Sequence, residues 1–447
     1  MKTFNSFNQA KPALSTLVLA LSLTWGSAQA IELVPTIEDA IVNNPEYRAQ
    51  LAIYKSIEAE VQGAKGSWLP TIDLGMGTGL EEIDTRNSST SLTRSESSIR
   101  ATQNLFEGFR TENEIKRQEA RLEAAAHSAD AVANQIALDM AQAFINLQKE
   151  QDLVRLTEES RDTHQRIVDQ ITQRSDAGIG NQVEVDQAKA RLALAQTNLA
   201  AQQNNYNDAL NRFQRILGRL PDSDLVKPTL TFTFPNSVEE ATNSAMLNHP
   251  TLRSANSDIA QAQAQHDSAR AAYYPRVDLE VQKTFDNNIG GVEGKNENLQ
   301  AMIRMRYNLY NGGKDSANRA RTAAGIQQAA EIRNNTSRQT VENLRYAWDA
   351  KNYTNIQLDY INQQVALTKE TLEGYRKQFN LGRRSLLDLL NTEDEYITAQ
   401  RSLTTSNADY QVAQYRILNG MGTLVDSLQI ALPTHSDDKT INDKKAP

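Results

Sequence analysis

The chain has 447 residues, 47 basic against 55 acidic, a formal net charge of −8, and no cysteine. The acidic balance argues against nucleic acid as a partner. The missing cysteine removes disulfides, thiolate metal sites, a cysteine nucleophile and lipid attachment through an N-terminal cysteine. The five histidines (His127, His164, His249, His266 and His435) show no metal-ligand spacing, so no metal or cofactor is expected, and no catalytic constellation supports an enzyme.

In chain order, residues 1–30 read as a signal peptide. Lys2 and Lys11 form a basic start, Ala13 to Trp25 an apolar run too short to span a bilayer, and Ala28-Gln29-Ala30 a cleavage site. Export from Ile31 is expected, with the net charge moving from −8 to −10 as Lys2 and Lys11 leave. A first repeat is predicted over 31–220: a helix from about Thr36 to Lys65, a strand hairpin over 72–106 and a long helical hairpin over 111–217. Thr111 to Ala177 holds no glycine or proline and would make a helix about 100 Å long. Such length points to a coiled coil or helical tube rather than a globule. The break Ala177-Gly178-Ile179-Gly180 turns it back. A linker over 221–236 carries Pro221, Pro228 and Pro235 around a possible strand, Leu230 to Phe234.

A second repeat is predicted over 237–432: a helix from Ser237 to Ala272, a strand hairpin over 277–310 and a helical hairpin over 314–419, turned at Gly382. Residues 433–447 are polar, charged and expected to be disordered. The halves match at an offset of about 204 residues. Asn44-Pro45 pairs with His249-Pro250, Pro70-Thr71-Ile72-Asp73-Leu74 with Pro275-Arg276-Val277-Asp278-Leu279, and Leu105-Phe106-Glu107-Gly108 with Leu309-Tyr310-Asn311-Gly312. Solenoid units repeat every 20–50 residues or so, which makes this an internal duplication instead.

The strand patterns alternate one apolar with one polar face. Ile72 to Leu80 sets larger residues against Asp73, Gly75, Gly77 and Gly79; Val277 to Gln282 and Leu299 to Leu309 alternate likewise, and Ser98 to Phe106 more weakly. An ordinary soluble sheet explains one such strand. Four together, each near the 9–11 residues of a tilted membrane strand, point to a barrel with charged residues facing water. Trp68, Phe106, Tyr273, Tyr274, Tyr307 and Tyr310 cluster at the strand ends as an interfacial girdle would. Polar loops are expected from Glu81 to Glu96 and from Asp286 to Asn298, and Lys283 departs from the apolar face. The Gly75-to-Gly79 glycines lack the βαβ context of a phosphate loop. Four strands cannot close, so further copies are required: two give 8 strands and three give 12.

With these features the mature chain, Ile31 to about Leu432, resembles the TolC outer-membrane factor family. Gly382-Arg383-Arg384-Ser385-Leu386-Leu387-Asp388-Leu389-Leu390-Asn391 and Gly420-Met421-Gly422-Thr423-Leu424 add to the likeness. The resemblance implies an α+β membrane protein, a homotrimer whose 12-strand β-barrel in the outer membrane continues into a 12-helix coiled-coil tunnel through the periplasm. It implies a passive exit duct that docks a periplasmic adaptor and an inner-membrane pump, ABC or other. The absent cysteine favours the type I protein-secretion branch; multidrug efflux is the alternative, and a secreted coiled-coil structural or adhesive protein is the reading from another class.

The resemblance also implies site residues. Asp388 matches a ring carboxylate of a periplasmic gate, Arg384 a linking arginine and Glu184 its acidic partner. Asn391 stands where a second acidic ring belongs and Phe379 where a tyrosine belongs. Ala177, Gly178, Ile179, Leu381, Gly382 and Leu386 match the adaptor-contact tips. Against the gate stands helix capping, since Asn181 to Glu184 and Ser385 to Asp388 both have capping-box spacing.

Overall fold

The structure is a computed structural model that describes residues 31–228, 232 and 234–432. The expected signal peptide, most of the expected linker strand and the expected tail lie outside the described residues.

The duplication survives in three dimensions down to the element bounds. Helix α3 (Arg110–Asp176) and helix α7 (Lys314–Asn380) each have 67 residues, and α4 (Gln182–Leu217) and α8 (Leu386–Met421) each have 36. At 1.5 Å per residue the longer pair runs about 100 Å. Each long hairpin turns through one left-handed glycine, Gly178 (φ 71°) or Gly382 (φ 71°). In the first, Ile179 N–H donates to the Arg174 carbonyl and Gly178 N–H to the Ser175 carbonyl; in the second, Arg383 and Gly382 repeat this onto Gln378 and Phe379. These paired bonds satisfy the last carbonyls of each helix and stop it.

The opening helices are each two, not one. Helix α1 (Leu33–Asn43) ends before α2 (Pro45–Gly66), and α5 (Val238–Asn248) before α6 (Pro250–Ala269). Proline at the first helical position forces the preceding residue out of helical geometry, and Asn44 and His249 are extended, with ψ 127° and 119°. Asn44 then accepts from Glu46 N–H at 2.8 Å to cap α2.

Four antiparallel strands form one sheet in chain order: β1 (Thr71–Thr85), β2 (Ser88–Phe106), β3 (Arg276–Ile289) and β4 (Val292–Arg306). The segments expected as polar loops are strand. β1 pairs β2 down to Thr85 and Ser88, leaving a two-residue turn, and β3 meets β4 through Gly290-Gly291, both at positive φ as a tight hairpin requires. A polar segment continues a ladder once the turn chemistry permits it, because backbone bonds need no apolar face. The hydrophobic belt itself stays short, Ile72 to Leu80 on β1, so the outer ends of the strands stand beyond it.

The apolar face of this sheet is bare. Ile72, Leu74, Met76, Leu80, Leu299, Ile303 and Met305 are between 65 and 77 % exposed. A soluble sheet covers that face; this one turns it outward, as a membrane strand does. Lys283 on the same face donates to Glu297 at 3.2 Å and lies 5.1 Å over the Phe285 ring, which accounts for its departure from the pattern. The main buried core lies elsewhere, along the helices. Phe144, Phe213, Tyr415, Ile37, Ile41 and Tyr47 join α1 to α4, α8 and the short α9 (Leu424–Ser427) around α3.

Where strand hands over to helix the copies differ. The second uses Gly312-Gly313 at φ 57° and 79°; the first uses Gly108 and Phe109 at φ 68° and 64°. A left-handed phenylalanine costs about 1–2 kcal/mol. Its ring packs edge-on to Phe106 and Tyr274, with centroids 5.6 and 6.2 Å away. Phe109→Ala, which keeps the backbone cost and loses the ring, is therefore expected to be less stable than Phe109→Gly by about 1 kcal/mol. Guanidinium unfolding followed by helical circular dichroism measures this; equal midpoints would remove the backbone argument.

Candidate functional site

Two regions carry the candidate residues: the junction of sheet and helices, and the far tips of the helical hairpins. At the junction Trp68, Tyr273, Tyr274, Tyr307 and Tyr310 are exposed. A bulge between Asn104 and Phe106 brings Phe106 into register with outward-facing Val277. Phe106, Phe109 and Tyr274 then form a three-ring cluster, each pair edge-to-face. Aromatic rings with one wet side suit a membrane–water interface. Phe109 was not legible in the sequence, because its pairing partner in the repeat is a glycine. Gly108 has no substitute, since a Cβ there would lie 2.7 Å from Tyr274 Cβ.

At the tips, Ala177, Gly178, Ile179, Leu381 and Gly382 are exposed, Ile179 and Leu381 at 74 and 70 %. Leu386 is not: at 2 % exposure it belongs to the tip core with Ile171, Val185, Phe379 and Leu390. As the first residue of α8 it turns inward, and Leu387 beside it, 47 % exposed, is the outward one.

Glu184 and Asp388 both sit at helix starts. Asn181 Oδ1 accepts from Glu184 N–H at 2.9 Å, and Ser385 Oγ accepts from Asp388 N–H at 3.2 Å while donating to Asp388 Oδ2 at 2.8 Å. Capping is thus present at both. Within the single chain Arg384 does not pair with Glu184. Its Nη1 lies 3.7 Å from Asp388 Oδ2, and its guanidinium stacks 4.0 Å over the Tyr375 ring. Phe379 takes the Arg174 guanidinium over its ring at 5.3 Å, so a cation replaces a tyrosine hydroxyl as its polar partner.

The strongest links at this end went unread in the sequence. Arg191 on α4 donates to Asp394 Oδ2 at 2.7 Å and to Asn391 Oδ1 at 3.0 Å. His164 on α3, 3 % exposed, places Nε2 3.5 Å from Asp394 Oδ1. Arg376 on α7 holds both oxygens of Glu393, at 2.7 and 2.9 Å, with the Glu393 side chain 4 % exposed. α8 is therefore tied by charge to α4 and α7, with the His164 ring of α3 packed beside Asp394. Asn391 in place of an acid fits this geometry, because Asp394 already neutralises Arg191. No short motif reveals the Arg191–Asp394 pair, 203 residues apart in sequence, or shows that Arg376 and Glu393, 17 apart, meet across the helical turn.

An outer-membrane channel built from a lipid-facing sheet and long paired helices is the class of protein that this bare sheet and these helices define. The comparisons with known proteins agree. A family model described as outer membrane efflux protein matches residues 36–219 and 241–423. The chain belongs to that family, the outer-membrane channels of tripartite export systems, which reach into the periplasm. It is 22 % identical to outer membrane efflux protein BepC of Brucella suis over 97 % of this chain and 95 % of that one. To outer membrane protein TolC of Escherichia coli it is 21 % identical over 94 and 88 %. To the proteases secretion protein PrtF of Dickeya chrysanthemi it is 22 % identical over 93 and 94 %. Among solved structures, the Campylobacter jejuni CmeC outer membrane channel superposes with a TM-score of 0.79 at 15 % identity, covering 94 % of each chain.

Burial raises the Glu393 carboxyl above the ordinary glutamate range while Arg376 pulls it down. Arg376→Ala strands that buried carboxylate and is expected to cost about 3 kcal/mol at neutral pH. With the partner gone the folded-state pKa rises further above the unfolded one, so the folded form binds the extra proton. Stability of the variant should then fall as pH rises from about 5 to about 8. Urea midpoints across that range test it, and a variant that becomes more stable with rising pH contradicts the assignment.

Proposed function

We propose that three copies of this chain close into a 12-strand barrel and a helical tunnel, and that this trimer is a passive exit duct. The observation that carries the reading is the sheet: β1 and β4 are edge strands with an outward apolar face. Open edges cannot sit in lipid, and neighbouring copies joining β4 to β1 would satisfy them. The tunnel has a matching seam on α7. Tyr346, Tyr353, Tyr360 and Leu367 recur every seventh residue and are 58–68 % exposed, as one side of a coiled coil between chains would be.

At the tips, the proposed gate is a ring of three Asp388 carboxylates, with Asn391 behind it and Arg384 reaching Glu184 of the adjacent copy. Within one chain Arg384 lies at 3.7 Å from Asp388, so exchange of partners costs little. The exposed tip residues Ala177, Gly178, Ile179, Leu381, Gly382 and Leu387 would receive the periplasmic adaptor, which couples the duct to an inner-membrane ABC or other pump. Protein delivered by type I secretion is the proposed cargo, supported by the full-length likeness to a proteases secretion protein. Likeness to an efflux protein supports small-molecule efflux as the second reading.

Outer-membrane extracts run with and without boiling should show a heat-labile oligomer; recovery as a soluble monomer rejects the duct. Tyr353→Asp combined with Tyr360→Asp is expected to abolish that oligomer by placing charge in the seam. In planar bilayers Arg384→Ser or Glu184→Ala should raise basal conductance, and closed-state conductance unchanged in both would sink the lock.

A further inference from the structure

The polar face of the sheet is not evenly lined. In the half nearer the helices, Arg276 stands opposite Arg306, Asp278 opposite Arg304, and Arg100 opposite Gln282. Like charges directly opposite each other repel. Two carboxylates resolve this. Asp278, whose side chain is 1 % exposed, accepts from Arg276 Nε at 3.0 and 2.9 Å and from Asn104 Nδ2 at 3.0 Å. Glu280, 17 % exposed, accepts from Arg304 Nε at 2.6 Å and Arg306 Nη2 at 2.9 Å.

The arrangement is layered. Acids lie beneath and guanidiniums above: the side chains of Arg276, Arg304 and Arg306 are 50, 45 and 62 % exposed. Arg100 is exposed and, among the described residues, its guanidinium donates to the neutral Gln282 amide oxygen alone, at 3.2 and 3.0 Å. Four arginines thus oppose Asp73, Asp278 and Glu280 in this zone, in a chain whose net charge is −8. Toward the outer turns the sign reverses on the same face, where Glu81, Glu96 and Asp286 outnumber Arg94.

We propose that Arg100, Arg276, Arg304 and Arg306 form an anion-binding collar inside the base of the barrel, which recognises oxyanion groups carried by the exported substrate. The inference rests on the duct reading, under which this face lines the lumen and three copies bring twelve guanidiniums to its helix-side half, Arg276 and Arg306 lowest and Arg100 six residues further up the strands. Planar, donor-rich heads held from below are preorganised for carboxylate or phosphate. Asp278 and Glu280 are positioning residues: they aim the arginines without reaching the lumen themselves. A cargo group leaving the acidic entrance would meet the opposite sign before the acidic mouth. Such alternation lets a mixed-charge substrate be held weakly at each stage rather than trapped at one.

The test is isothermal titration of sodium tripolyphosphate into the detergent-solubilised full-length protein, beside a gel for the heat-labile oligomer. Wild type should bind, more weakly as salt rises. Arg304→Gln with Arg306→Gln should weaken binding by about tenfold or more, and Arg306→Lys by only about threefold, because charge is kept. Arg100→Gln leaves the arginine bonds of Asp278 and Glu280 intact and should weaken binding by itself, so it decides the matter if the double variant fails to assemble. An oligomer that does not bind, or that binds equally in wild type and the glutamine variants, overturns the collar and leaves the duct standing. Recovery as a soluble monomer overturns both.

Discussion

Everything in this molecule follows from a sheet that cannot end. A strand edge presents unpaired N–H and C=O groups, and in lipid each costs several kcal/mol. β1 and β4 are such edges, and their apolar side chains face outward with nothing of the chain's own to cover them. In the proposed duct the closing of the barrel falls to neighbouring copies. Helix α7 likewise leaves Tyr346, Tyr353, Tyr360 and Leu367 exposed at every seventh residue.

Length is the second consequence. A 67-residue helix has too much side to bury against one partner, so the chain lays α3 against α2, α4, α6 and α8 and leaves α7 with far less cover. The two copies of the repeat are thus alike in backbone and unlike in burial. The differences in sequence follow the same division. Phe109 replaces a glycine where the rings gather. Near the tips Arg191 and His164 come from one copy and Asp394 and Asn391 from the other. Paired across the copies, those polar groups hold α8 in place through contacts that neither half could make alone.

The sequence was most legible where period and punctuation act locally. Glycine-free runs gave the long helices, Gly178 and Gly382 their ends, and alternation the outward face. It misread the hairpin flanks as loops, because a polar strand outside the apolar belt has no hydrophobic signature; only the Gly290-Gly291 turn chemistry hinted otherwise. It ran helices through Asn44-Pro45 and His249-Pro250, although proline dictates a break there. Leu386, matched to the adaptor-contact tips through the family resemblance, is buried by its first-turn position in α8.

By itself, then, the amino-acid order determined the duplicated elements, their lengths and the face each strand gives to lipid, since these rest on contacts between residues few positions apart. The tertiary structure alone decided which charges meet. The Arg191–Asp394 link, the Arg376–Glu393 clasp and the arginines layered over Asp278 and Glu280 join elements distant in sequence, or depend on register and burial that no local pattern records. A charge is cheap to place on any wet face. What it does is set by the partner that the fold brings to it and by how much water remains between them.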